Sequence, residues 1–154
     1  MKPFFDFFGE STLGEWMRNS RYAFPAFEMV HLLGLGLLLG SILILNARFF
    51  GLGMRRQSVS ELAYDFAPWT RLALAIMIPS GIALFASKAP DLWNEDRFGF
   101  ELKLFLVAVA ILFHYTVLIP LARSDNYRRG KPAAAFSLLV WFGAAMAGLS
   151  LEFL

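Results

Sequence analysis

The sequence predicts an all-α protein: a four-helix transmembrane bundle preceded by a short N-terminal amphipathic helix at the membrane interface. Three observations predict it. Of 154 residues, 58% are hydrophobic and only 17% charged, against roughly 45–50% and about 25% in an average soluble domain. A soluble core of this size could not bury that much apolar surface, whereas a bilayer could. Four apolar runs, at about 24–50, 63–86, 102–122 and 133–154, each reach the roughly 20 residues that a helix needs to cross about 30 Å of hydrocarbon. None of the runs alternates polar with apolar residues, as the strands of a membrane barrel must.

This composition excludes a disordered tail, a nucleic-acid-binding domain and an ordinary soluble enzyme. The net charge of +2 reflects basic loops rather than a nucleic-acid surface. The absence of cysteine excludes disulfides, iron–sulfur clusters, thiolate-bound zinc or haem, and covalent c-type haem. The chain divides into an interfacial segment, 1–23, and a four-helix domain, 24–154.

The elements follow in order. The opening MKPFFDFFGE is not a signal peptide, because Asp6 and Glu10 break its apolar run. Thr12 and Glu15 have the spacing of a capping box. Leu13, Trp16 and Met17 then share a face, and Phe4, Phe5, Phe7 and Phe8 are expected to dip into the headgroups. Pro25 suits the first turn of helix one. Ser58 and Glu61 form a capping box ahead of helix two. Pro79, beside Ser80 and Gly81, is expected to kink that helix, and Pro120 to bend helix three. Pro132 opens helix four, where Gly143, Ala144, Ala147 and Gly148 offer a small-residue face for a neighbouring helix or a second copy in a homo-oligomer. Glu152, at its end, reads as interfacial.

One side of the membrane receives Arg48, Arg55, Arg56, Arg123, Arg128, Arg129 and Lys131. The other receives Lys2, Arg18, Arg21, Lys88, Arg97 and Lys103, with Asp91, Glu95, Asp96 and Glu101. The Lys/Arg bias places both termini outside, on the periplasmic face of a bacterial inner membrane.

Polar groups inside a span are costly and are functional candidates. They are Glu28, His31, Arg71, Lys103 and His114. His31 and His114 are the only histidines, and both fall within spans. Glu28 lies three residues before His31, on the same helical face. That spacing suits a carboxylate tuning an imidazole ligand. It also suits half of a di-iron site, but no second E-x-x-H exists to complete one.

Two imidazoles on different helices of a bundle can hold haem b from both faces. Gly34, followed by Gly36 and Gly40, would let a porphyrin or another helix approach closely. Phe27, Phe105, Phe113 and Tyr115 could wall the ring. Arg71, Arg97 or Lys103 could pair with a propionate, although snorkelling explains Lys103 and Arg97 as well, and Arg71 could pair with Asp65 or Glu152.

Depth raises a difficulty. His31 lies about 9 Å below Pro25 and His114 about 16 Å below Lys103 along their helices, a mismatch near 7 Å. Helix tilt of about 20° removes part of it. Otherwise the histidines serve different sites or meet across a subunit boundary, and Met77 or Met146 becomes a candidate second ligand.

The run FPAFEMVHLLGLGLLLGSILILNARFFGLG, with VSELAYDFAPW, PSGIALF and FELKLFLVAVAILFHY, resembles a family of small bacterial four-helix membrane proteins with no assigned function. The resemblance covers about 24–114 and rests on Glu28, His31, Trp69, Gly81, Lys103, Phe113 and His114. Family members often carry asparagine where this chain has Val109. The chain is also distantly similar to copper-resistance D proteins and small membrane cytochromes b. The resemblance implies that both histidines are family features.

Taken together, these residues lead to a haem-b-binding membrane protein with His31 and His114 as axial ligands, serving electron transfer, haem storage or haem sensing. Its partners would be the bilayer, haem, a redox partner and further copies of itself. One alternative is copper or iron handling through Glu28, His31 and His114. The other is a cofactor-free structural protein. Nothing resembles a nucleophile–base pair, a phosphate loop or a nucleotide fingerprint.

Overall fold

In the computed structural model, which describes residues 2–54, 56–95 and 97–150, the backbone is helical almost throughout. Two short helices, α1 (Lys2–Gly9) and α2 (Thr12–Asn19), precede α3 (Ala23–Phe49), α4 (Val59–Glu95) and α5 (Arg97–Phe113). A π turn (His114–Leu118), α6 (Ile119–Arg123) and α7 (Tyr127–Ser150) complete the chain. Four helical stretches, Ala23–Phe49, Val59–Trp93, Arg97–Arg123 and Tyr127–Leu149, are long and apolar enough to cross a membrane. This is a multi-pass membrane protein. Expectations placed on Arg55, Asp96, Glu152 and the last turn of helix four lie outside the described residues.

Helices α3, α4, α5 and α7 run alternately down and up. Helix α3 packs along α4 and α7, and α5 packs along α7, so α3 and α5 stand diagonally opposite. The end bearing α1, α2 and the α4–α5 link is called upper here. The end bearing the α3–α4 and α6–α7 turns is lower. The central layer joins Leu38, Ala73, Ala110 and Trp141 from the four helices. The lower layer packs Leu45, Phe49, Leu62, Leu118, Ala122 and Ala134.

Several local expectations need correction. Helix α4 runs on to Glu95, past the apolar run that ends near Ala86. A fall in hydropathy marks the edge of the bilayer rather than the end of the helix, and α1 and α2 pack on the overhanging turns. The N-terminal segment forms two helices rather than one. Ser11, not Thr12, is the cap of α2, in extended backbone with its Oγ accepting from Gly14 N–H at 3.1 Å. Phe5 is not a headgroup anchor. It is 3% exposed and packs on Phe85, Trp93 and Phe100.

Arg18 ties this segment down, donating from its guanidinium to the Gly9 carbonyl at 2.6 Å and the Ala86 carbonyl at 3.2 Å. A Cβ on Gly14 would fall 2.7 Å from the Ala86 carbonyl oxygen, so only glycine lets α2 seat there. The capping box at Ser58 and Glu61 is present in both directions, at 2.8 and 3.1 Å.

Helix α7 starts at Tyr127, so Pro132 lies inside it. Pro120 acts one turn upstream of its own position. It has no N–H to offer the Thr116 carbonyl, and the turn before it widens, with Ile119 N–H bonding to the His114 carbonyl. Such single π turns recur at functional sites.

Candidate functional site

The central layer fixes the depth of each candidate side chain. His31 lies seven residues before Leu38, Ser80 seven after Ala73, Lys103 seven before Ala110, and Gly148 seven after Trp141. Because the helices alternate in direction, all four positions fall about 10 Å above that layer. They form an upper polar layer, and the contacts agree. A Cβ on Gly81 would lie 3.2 Å from His31 Cε1, and one on Gly148 would lie 3.2 Å from Lys103 Nζ. Glycine at both positions makes room for the two polar side chains inside the bundle.

Ser80 orients the His31 ring. Ser80 Oγ donates to the Ile76 carbonyl at 2.7 Å, the usual back-bond of a helical serine, and lies 3.0 Å from His31 Nδ1, placed to accept from an N–H there. A neutral ring that donates from Nδ1 keeps its lone pair on Nε2, the nitrogen that accepts hydrogen bonds or ligates metals.

His31 and Lys103 line two adjoining spaces. The upper is a small chamber of about 80 Å³ that also reaches Lys88 and Phe24. The lower is an apolar slot of about 270 Å³ between α4 and α5, from Leu74 to Phe85 on one wall and Phe100 to Ile111 on the other. Each wall spans twelve residues, about 16 Å of helix. Although α4 and α5 are consecutive, they meet sparsely, and lower down α4 packs on α6 instead. Ile78, Ile82 and Leu104 on the slot's lips are 53, 45 and 48% exposed, so the slot opens sideways toward lipid. Phe85 stacks on Phe100 at 4.4 Å near its top, and Phe4 and Phe8 of α1 cover that end. Deeper in, Trp141 also lines the slot. Its buried Nε1–H has no hydrogen-bond partner among the described residues.

His114 is elsewhere. It opens the π turn four residues below Ala110, about 6 Å beneath the central layer, so the two imidazoles differ by about 16 Å in depth. They sit on diagonal helices, and His114 lines neither the chamber nor the slot. It is 3% exposed, with Nδ1 unpartnered among the described residues. Within one chain, rings so placed do not face each other across one porphyrin, and the mismatch exceeds the roughly 7 Å expected from the sequence. Nor do Glu28, His31 and His114 converge: no group of three or more His, Asp or Glu side chains suited to a metal occurs among the described residues.

The remaining candidates scatter. Glu28 is half-buried one turn above His31. Gly34 faces α4, where a Cβ would lie 2.8 Å from Met77 Cγ. It serves helix packing, while a Cβ on Gly36 or Gly40 would meet nothing within 4 Å among the described residues. Arg71 is exposed and donates to its own helix at the Ala67 carbonyl, 3.2 Å away. Arg97 pairs with Glu101 at 3.1 Å and lies over the Trp93 ring. Phe27 packs edge-on against Trp16, and Phe113 against Phe136. Phe105 is 64% exposed. Met77 lines the slot with His31, and Met146 does not.

Sequence reasoning misses Ser80 and Trp141 as site residues. A serine–glycine pair next to an intrahelical proline is the signal for Ser80, but a helix bend explains the same pair and does not single the serine out.

The family model of unknown function DUF6644 matches residues 4–154. The chain belongs to that family. No curated protein and no solved structure matches it. The expected membership of a family without an assigned function therefore holds, while kinship with copper-resistance D proteins or cytochromes b has no match behind it.

Proposed function

We propose that this DUF6644 protein binds a lipid-soluble molecule drawn from the bilayer, with an oxygen-bearing head at His31 and Lys103 and an apolar body in the α4–α5 slot. One observation carries the reading: an imidazole and a lysine amine line the same lipid-facing apolar cavity. Ligand pockets are typically apolar with a few placed polar groups, at about 300–1,000 Å³. The slot and chamber together approach that range. Lys103 suits a carbonyl or carboxylate oxygen, His31 Nε2 suits a hydroxyl, and Trp141 Nε1–H offers a further donor deeper in the slot. Isoprenoid quinones and long-chain carboxylates share this chemistry.

The test is titration of the detergent-purified protein with a short-chain ubiquinone analogue, following tryptophan fluorescence, and with palmitate as competitor. Saturable binding of either, weakened about tenfold in Lys103→Met, is expected, since losing one charged hydrogen bond costs about 1.5–3 kcal/mol. Failure of both to saturate, or an unchanged Lys103→Met, contradicts the reading.

Haem b is a second reading, favoured by the presence of His31, Lys103 and Lys88 around the same chamber. On this reading His31 would hold the haem from one side, with the propionates toward those cations and the ring extending into the slot. Within one chain His114 lies too far away to take the other face. Haem would supply one-electron chemistry or be stored or sensed as cargo. On this reading, protein from haem-supplied cells shows a Soret band that His31→Ala removes and His114→Ala preserves. A colourless preparation excludes it.

A further inference from the structure

At the opposite end of the bundle, we infer a second site, selective for an anionic phospholipid, in the groove between the π turn–α6 segment and α7. The groove has a volume of about 560 Å³ and opens outward. Its membrane-side wall is apolar, built on the Phe113–Phe136 ring pair at 4.7 Å. Its outer rim carries Arg129, with Pro120 and Pro132 on either side. The widened turn and Pro120 form one side of the groove, and Pro132 lies on the α7 side.

Charge complementarity identifies the occupant. Within nine residues the lower turn places Arg123, Arg128, Arg129 and Lys131. The nearby acids are already engaged by local donors. Asp125 accepts from Ser60 N–H at 3.0 Å and Ser60 Oγ–H at 2.8 Å. Glu61 accepts from Ser58 N–H at 2.8 Å. Asp65 accepts from Gln57 at 3.3 Å. Arg123 lies over the Tyr64 ring at 5.4 Å. Among the described residues no carboxylate pairs with Arg129. A cation at the mouth of an apolar groove, on an edge of the span and without a protein counter-ion, suits a headgroup phosphate with its acyl chain along Phe113 and Phe136. Basic pockets between transmembrane helices bind anionic headgroups in this way. This site shares no residue with the His31 cavity, so each stands or falls alone.

The experiment is native mass spectrometry of the full chain released from nanodiscs containing equal dioleoyl phosphatidylglycerol and dioleoyl phosphatidylcholine. Wild type is expected to retain phosphatidylglycerol preferentially, as one dominant adduct. Arg129→Gln is expected to lower that preference about fivefold. Arg71→Gln, which removes an exposed cation elsewhere in the spans, is expected to leave it intact. Equal retention of both lipids, an unchanged Arg129→Gln, or an equal loss in Arg71→Gln overturns the inference.

Discussion

Alanine at His31 is expected to weaken binding of the ubiquinone analogue by at least about tenfold while leaving the fold intact. The imidazole supplies the acceptor in the upper polar layer, and leaving a buried ligand group unpaired costs about 1–3 kcal/mol. His31 faces a cavity and a glycine rather than a tightly filled core, so its removal should change melting temperature little. Ser80→Ala separates position from chemistry. It keeps the ring but removes the hydroxyl at 3.0 Å from Nδ1 that orients it. Binding should fall by less than in His31→Ala, with the ligand still recognised. Fluorescence titration of the two variants against wild type checks both orders. Equal affinity in His31→Ala and wild type contradicts the assignment.

The largest effect on stability is expected at Phe49. Its side chain is 0% exposed and is the largest of the fully buried ones. Its ring lies against Gly130 of α7, where even a Cβ would overlap it, and against Tyr127 at 6.3 Å. In lipid, helix association depends on packing rather than on escape from water, so the cavity left by truncation accounts for most of the loss. Phe49→Ala should cost about 3–5 kcal/mol, read as a lowered thermal midpoint in detergent. A midpoint shift no larger than that of a lipid-facing control such as Leu139→Ala, at a residue 74% exposed, would show that the lower layer does not hold the bundle together.

The spans were legible because the bilayer imposes a length and a composition that few other structures share. Their ends were less so. The Ser58–Glu61 box is correct because both partners sit in one local stretch. Thr12 lost to Ser11 because two adjacent residues could each cap, and only the backbone decides between them. His31 and Lys103 stood out as polar groups in apolar runs. What the sequence could not show was which helices face each other. His31 meets Ser80, forty-nine residues away, whereas His114 falls on the diagonal helix and about 16 Å too low. Counting from Pro25 and Lys103 assumed that both helices start at the same depth. The shared layer of Leu38, Ala73, Ala110 and Trp141 is the true ruler, and it exists only once the bundle is assembled.

Photo-crosslinking in a bilayer tests the central claim most directly, using a photoactivatable palmitate or ubiquinone analogue and mapping the modified residues by peptide mass spectrometry. A ligand held between α4 and α5 predicts labels concentrated on 74–85 and 100–111 and diminished in His31→Ala and Lys103→Met. Labels spread evenly over lipid-facing positions such as Leu32, Leu33 and Leu139, and indifferent to both substitutions, would contradict it.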